Sequence, residues 1–128
     1  MARILLHRDF MAALRGLPVS AQKKLDGFID QFQKNPHDGS IQLHKLSEKM
    51  TDPRVRGARL DLKYRIIVVA PEKGDTYLLA YVDTHDEAYA WAENKRFEIH
   101  PEKILKKISH RRKILASSSV YAIRTEAK

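Results

Sequence analysis

The chain has 128 residues, 43% of them hydrophobic, with 24 Lys and Arg against 16 Asp and Glu and no cysteine. That length gives one domain with room for a real core, and the missing thiols exclude disulfide frameworks, Cys-based zinc sites and cysteine nucleophiles. No apolar run approaches the roughly 20 residues of a bilayer span, and no GxxxxGK[ST], GxGxxG or GxSxG sequence occurs, so a cytoplasmic protein with no membrane partner is expected.

The net charge of +8 is unevenly placed. Residues 1–94 carry 14 basic and 13 acidic side chains, whereas residues 95–128 carry 10 and 3. A cationic stretch of that kind is drawn to phosphate backbones or to an acidic protein surface, and it also serves as a solubilising tail. The domain is therefore expected over residues 1–100, with 101–128 a basic extension, helical or flexible.

From the N-terminus, Ala2 to His7 form a short apolar strand-like run, followed by Asp9 as an N-cap candidate and by Phe10, Ala13, Leu14 and Leu17 at helical spacing. Ser20 is expected to cap a second helix with the stripe Leu25, Phe28, Ile29 and Phe32, closed by Asn35-Pro36. Residues 37–53 read as a mobile loop anchored by Leu43 and Leu46. Three strands follow, Arg54 to Leu60, Tyr64 to Ala70 and Thr76 to Val82, as an antiparallel meander. The middle one, YRIIVVA, is apolar almost throughout, which suits a strand covered on both faces. His85 to Asn94 reads as a third helix with Trp91 as a core anchor, and residues beyond Pro101 can form a basic helix through Ile104, Ile108 and Leu115, with a linker at 117–119. The fold class is α+β: an N-terminal strand and a two-helix hairpin packed on a small antiparallel sheet, then a C-terminal helix.

Several segments carry a family likeness: LPVSAQKK in the hairpin, the NP that ends the second helix, Lys45-Leu46, KYRII, and VDTHDEAYAWAE. Over roughly residues 1–100 the sequence resembles the RelE/ParE toxin superfamily, and it is most similar to the RelE-like domains fused to the N-terminus of UvrD-like superfamily I helicases. The chain thus looks like either a free-standing member or the separated domain of something longer. The resemblance implies a ribosome-dependent endoribonuclease that promotes attack of a ribose 2′-hydroxyl on the adjacent phosphate. Such chemistry needs a cation at the phosphoryl group, a base and an acid, and no metal or cofactor.

On that resemblance Arg65 corresponds to the arginine on the scissile phosphate, with a structural salt bridge as the alternative. His85 corresponds to the family's C-terminal histidine and is a candidate acid or base, although a histidine at a helix start also serves there as a simple polar residue. Tyr89, one turn on, can stack on a base or hold a phosphate through its hydroxyl, or simply fill core. Arg54, Arg56 and Arg59, followed by Lys63, are candidate RNA contacts along a substrate groove, or charges that protect an edge strand. The likeness departs at Ala58, where relatives carry a cation, and at Asp83, just before Thr84-His85. The partners implied are RNA and the ribosome, an antitoxin with an acidic or amphipathic helix, and a helicase. The competing class is a non-catalytic nucleic-acid or protein-binding accessory module, and a third reading is a gyrase poison. The remaining histidines show no HxxxH or HExxH spacing, so no metal site is expected.

Overall fold

The computed structural model describes residues 2–46, 50–99, 114–116 and 121–125. The chain runs β1 (Arg3–Leu6), α1 (Arg8–Arg15), α2 (Val19–Lys34), β2 (His44–Lys45), β3 (Val55–Arg59), β4 (Tyr64–Val69), β5 (Thr76–Thr84), α3 (His85–Ala92), β6 (Lys95–Ile99), β7 (Ile114–Ala116) and β8 (Tyr121–Thr125). Strands β2 to β5, β1 and β7 form one sheet in the order β2-β3-β4-β5-β1-β7, and β6 pairs with β8 in a second.

The expected α+β class and meander hold, with two corrections. The sheet is mixed rather than antiparallel, because β1 lies parallel to β5 (Ile4 opposite Tyr77) and parallel to β7 on its other side. The hairpin α1–α2 supplies the crossover that a parallel neighbour requires. The second correction concerns the extension. Leu115, expected on a helix, belongs to β7, and Tyr121–Thr125 pairs antiparallel with β6, so its described parts join the sheets. The rest of the expected basic helix and the linker at 117–119 lie outside the described residues.

Local signals explain the helices. His7 rather than Asp9 caps α1, its Nδ1 accepting the Asp9 backbone N–H at 3.0 Å. Pro18 rather than Ser20 precedes α2, where its fixed φ suits a helix start. Each face of the sheet then covers its own core. Ile66 and Val68 point with Ile4, Phe10, Phe28, Phe32 and Leu79 into the layer under the hairpin. Ile67 and Val69 point the other way, with Leu78, Ala80, Ala88 and Ala92 under α3. A strand buried on both faces reads as a continuous apolar run, as YRIIVV does. No helix among the described residues is long and apolar enough to cross a membrane.

One irregularity positions the face that carries the candidate residues. The β4–β5 register shifts between Ile67 and Val68, so that Ala80 has no partner while Tyr81 faces Ile67 and Leu79 faces Val68. This bulge puts Ala80 and Tyr81 on the same side and reverses the alternation beyond it. Val82 consequently packs under the hairpin, and Asp83 stands opposite Arg65 on the α3 side.

Asp52 joins the loop before β3 to β6. It is 1% exposed and accepts from the Arg54 backbone N–H, from Arg54 Nε at 3.0 Å and Nη2 at 2.8 Å, and from the Phe97 N–H at 3.1 Å. Arg54 Nη2 also donates to the Phe97 carbonyl. Burial opposes the carboxylate charge, but these hydrogen bonds outweigh it and hold the group below the usual aspartate range. Breaking the clamp by Asp52→Asn should cost about 3 kcal/mol in urea unfolding, the low end for a buried ion pair because Arg54 keeps some solvent contact. The depressed folded value makes the carboxylate's contribution complete above pH of about 4 and lost as pH falls through that lowered value. Below pH of about 4 the Asp52→Asn protein should therefore lose stability less steeply than the parent.

Candidate functional site

His85 and Tyr89 stand on α3 directly after β5, the strand on which Asp83 pairs with Arg65. Helix α3 starts at His85, immediately after β5, with Asp86 and Glu87 in its first turn, where the exposed backbone N–H groups favour carboxylates. His85 is open to solvent, its side chain 56% exposed, and its Nδ1 lies 2.9 Å from Asp86 Oδ1. One turn later the Tyr89 ring packs 4.2 Å from the His85 ring, centroid to centroid. Their spacing of four places them on one helix face.

Tyr89 also reaches across to the opposite edge of the sheet. Its hydroxyl is 2.8 Å from His44 Nε2, and His44 Nδ1 is 2.8 Å from the Gln42 carbonyl oxygen. The approach is close because the residue facing His44 on β3 is Gly57. A Cβ there would stand 2.9 Å from Tyr89 Oη and 3.1 Å from His44 Cε1. Burial pushes the Tyr89 hydroxyl above the usual tyrosine range, and the nearby positive charge of Arg65 offsets part of that rise. Beside this pair an open cleft of about 390 Å³ is lined by His44, Lys45, Met50, Asp86, Tyr89 and Glu93.

Arg65 lies on β4 with Arg59 opposite on one side and Asp83 opposite on the other. Two like charges side by side repel, and the Arg65 guanidinium turns back so that Nη1 donates to the Asp61 and Tyr64 carbonyls at 2.8 and 3.1 Å. Those two bonds use one nitrogen, leaving the rest of the fork for an anion. The Arg59 Nε is buried without a hydrogen-bond partner among the described residues, and Arg59 also borders a second cleft along α2 beside Lys23 and Lys24.

The structure packs His85 on Tyr89, with the charge of Arg65 felt at the Tyr89 hydroxyl, and it does not gather the four expected RNA contacts into one groove. Alternation along β3 separates them. Arg54 is committed to Asp52, with its side chain 19% exposed. Arg56 faces the hairpin side opposite Val68, its Nη1 donating to the Pro53 and Val55 carbonyls. Lys63 sits in the β3–β4 turn with Nζ 5.4 Å from the centre of the Tyr64 ring. Ala58 is fully buried in the hairpin core, so its small side chain removes no cation from the α3 face. Trp91 is half-buried and stacks on Tyr81 at 4.3 Å. No group of three or more His, Asp or Glu side chains among the described residues is placed to hold a metal.

Sequence reasoning missed His44, which lies in the stretch read as a loop. The available signal was Gly57 inside a strand, since a glycine there marks a close approach by something else.

No family model and no curated protein matches the chain. Solved structures do. The archaeal RelE–RelB complex from Pyrococcus horikoshii OT3 aligns with a TM-score of 0.54 and 23% identity, over 68% of this chain and 98% of that one. The chain has the RelE-like toxin fold. The RelB–RelE antitoxin–toxin complex from Methanococcus jannaschii (TM-score 0.53, 18% identity, 68% and 96% covered) and the YoeB/ParE toxin from Agrobacterium tumefaciens (0.53, 12%, 65% and 98%) share that RelE-like fold.

Gly57→Ala should separate Tyr89 from His44 while leaving the RelE-like fold intact. An added methyl in so tight a place is expected to cost about 1–3 kcal/mol in urea unfolding. The His44 and Tyr89 ring resonances should shift more than those of Trp91 on the same helix.

Proposed function

We propose that this chain is a toxin-type endoribonuclease that cleaves mRNA on the ribosome through attack of a ribose 2′-hydroxyl on the adjacent phosphate. What supports this reading is the packing of the exposed His85 imidazole on the Tyr89 ring, with the positive charge of Arg65 near the Tyr89 hydroxyl. Arg65 would hold the scissile phosphate and stabilise the charge that builds on its oxygens. His85, hydrogen-bonded to Asp86 through Nδ1, would use Nε2 to protonate the departing 5′-oxygen. Tyr89, between them and the cleft, would contact the attacking ribose. The general acid–base step needs no metal.

Arg59 beside Arg65 extends the cationic track for RNA, while Arg56 and Lys63 lie off it and would serve only a longer segment. Two of the matched structures are complexes with RelB, and by that likeness we propose a neutralising antitoxin as the protein partner. The cationic surplus of residues 95–128 suits an acidic one.

The test is a translation reaction programmed with a defined mRNA, with cleavage mapped by primer extension. Cleavage that needs translating ribosomes and falls about 100-fold or more in both Arg65→Ala and His85→Ala is the expected result. Intact mRNA with undiminished translation would replace this reading by a nucleic-acid-binding module, with a helicase as its candidate partner.

A further inference from the structure

We propose that His44 is the proton acceptor behind Tyr89, so that Tyr89 and His44 form a two-step relay that takes the proton from the attacking 2′-hydroxyl. The relay rests on the ribonuclease reading and gives that site its base.

The direction of each bond follows from what its atoms are able to donate. A carbonyl oxygen only accepts, so the 2.8 Å contact between His44 Nδ1 and the Gln42 carbonyl requires the hydrogen to sit on Nδ1. In the neutral ring Nε2 is then the lone-pair nitrogen. The Tyr89 hydroxyl, 2.8 Å away, must donate to it. With its own hydrogen directed at His44, Tyr89 Oη keeps its lone pairs for a substrate hydroxyl. A base oriented by a third group is the arrangement that activates nucleophiles in hydrolytic triads, with a backbone carbonyl here in the orienting place.

Two further features point to the same line of atoms. Gln42 has φ of 51°, the only positive φ at a non-glycine residue among those described. That left-handed conformation is unfavourable for a side-chain-bearing residue, and the carbonyl that Gln42 contributes is the one that fixes the His44 tautomer. Gly57 supplies the third element, since any larger residue would occupy the space in which Tyr89 Oη and the His44 ring meet.

In the proposed step the ribose O2′ bonds to phosphorus and the bond from phosphorus to O5′ breaks. The 2′-hydroxyl proton passes to Tyr89 Oη as the phenolic proton passes to His44 Nε2, and His85 gives a proton to O5′. Tyr89 ends the step neutral, His44 ends it as imidazolium and His85 ends it neutral. Both imidazoles exchange protons with water before the next turnover, and no free phenolate forms. His44 acts through Tyr89 and is a positioning and proton-holding residue in this scheme.

The experiment measures single-turnover cleavage of a defined mRNA on programmed ribosomes for the parent, His44→Gln, Tyr89→Phe and the double variant, and for His44→Ala with and without added imidazole. In parallel, nitrogen-15 NMR of the free protein reads the His44 tautomer. Expected are a loss of about 100-fold in each single variant, a double variant no slower than the slower single one, partial recovery of His44→Ala with imidazole, and an Nδ1–H tautomer in the parent and in Tyr89→Phe. A His44 of purely structural importance would give additive losses and no recovery with imidazole. Cleavage that persists in His44→Gln, additive losses, or an Nε2–H tautomer overturns the relay alone. Absence of cleavage by the parent overturns the ribonuclease reading, and the relay with it, whatever the tautomer.

Discussion

A single extra residue in β5 governs which side chains reach the α3 face. Without the bulge at Ala80, strict alternation from Leu78 would place Val82 toward α3 and bury Asp83 beneath the hairpin. With it, Val82 fills the hairpin core and Asp83 lies beside Arg65. Helix α3 begins at His85, directly after Thr84, so the same shift sets where its first turn meets the sheet. Tyr89 inherits that placement. A register shift within the packed sheet therefore decides which side chains stand beside Arg65.

The cations of this domain do different jobs according to the face they fall on. Arg54 neutralises a buried carboxylate and ties the β3 approach to β6, a structural task that leaves little of its guanidinium for a ligand. Lys24 bridges α2 to the β3–β4 turn through Asp61 at 3.2 Å. Asp61 in turn accepts the Lys63 and Tyr64 backbone N–H groups, and the same turn lends its carbonyl to Arg65. Arg65 and Arg59, by contrast, are cross-strand neighbours with no carboxylate of the described residues within ion-pair distance.

Around Tyr89 the fold accepts local cost. A left-handed Gln42, a glycine in mid-strand and a half-buried phenol are each unfavourable in isolation. They meet along one line of contacts from the Gln42 carbonyl through His44 to Tyr89. Residues with such conflicts concentrate where a fold is shaped for something other than its own stability.

The α+β class, the hairpin, the apolar central strand and α3 were legible in the sequence because each depends on periodicity within one segment. Arg65, His85 and Tyr89 were singled out by the family resemblance of KYRII and VDTHDEAYAWAE, and the spacing of four puts His85 and Tyr89 on one face of α3, where their rings touch. What only the tertiary structure decided was the parallel place of β1 beside β5, the recruitment of β7 and β8, the separation of Arg54, Arg56 and Arg59, and the partnership of His44 with Tyr89. These depend on strand register and on pairings between residues as far apart as Ile4 and Ile114. Local sequence carries no record of such distances, because a one-residue slip changes the face of every side chain beyond it without changing the pattern that is read.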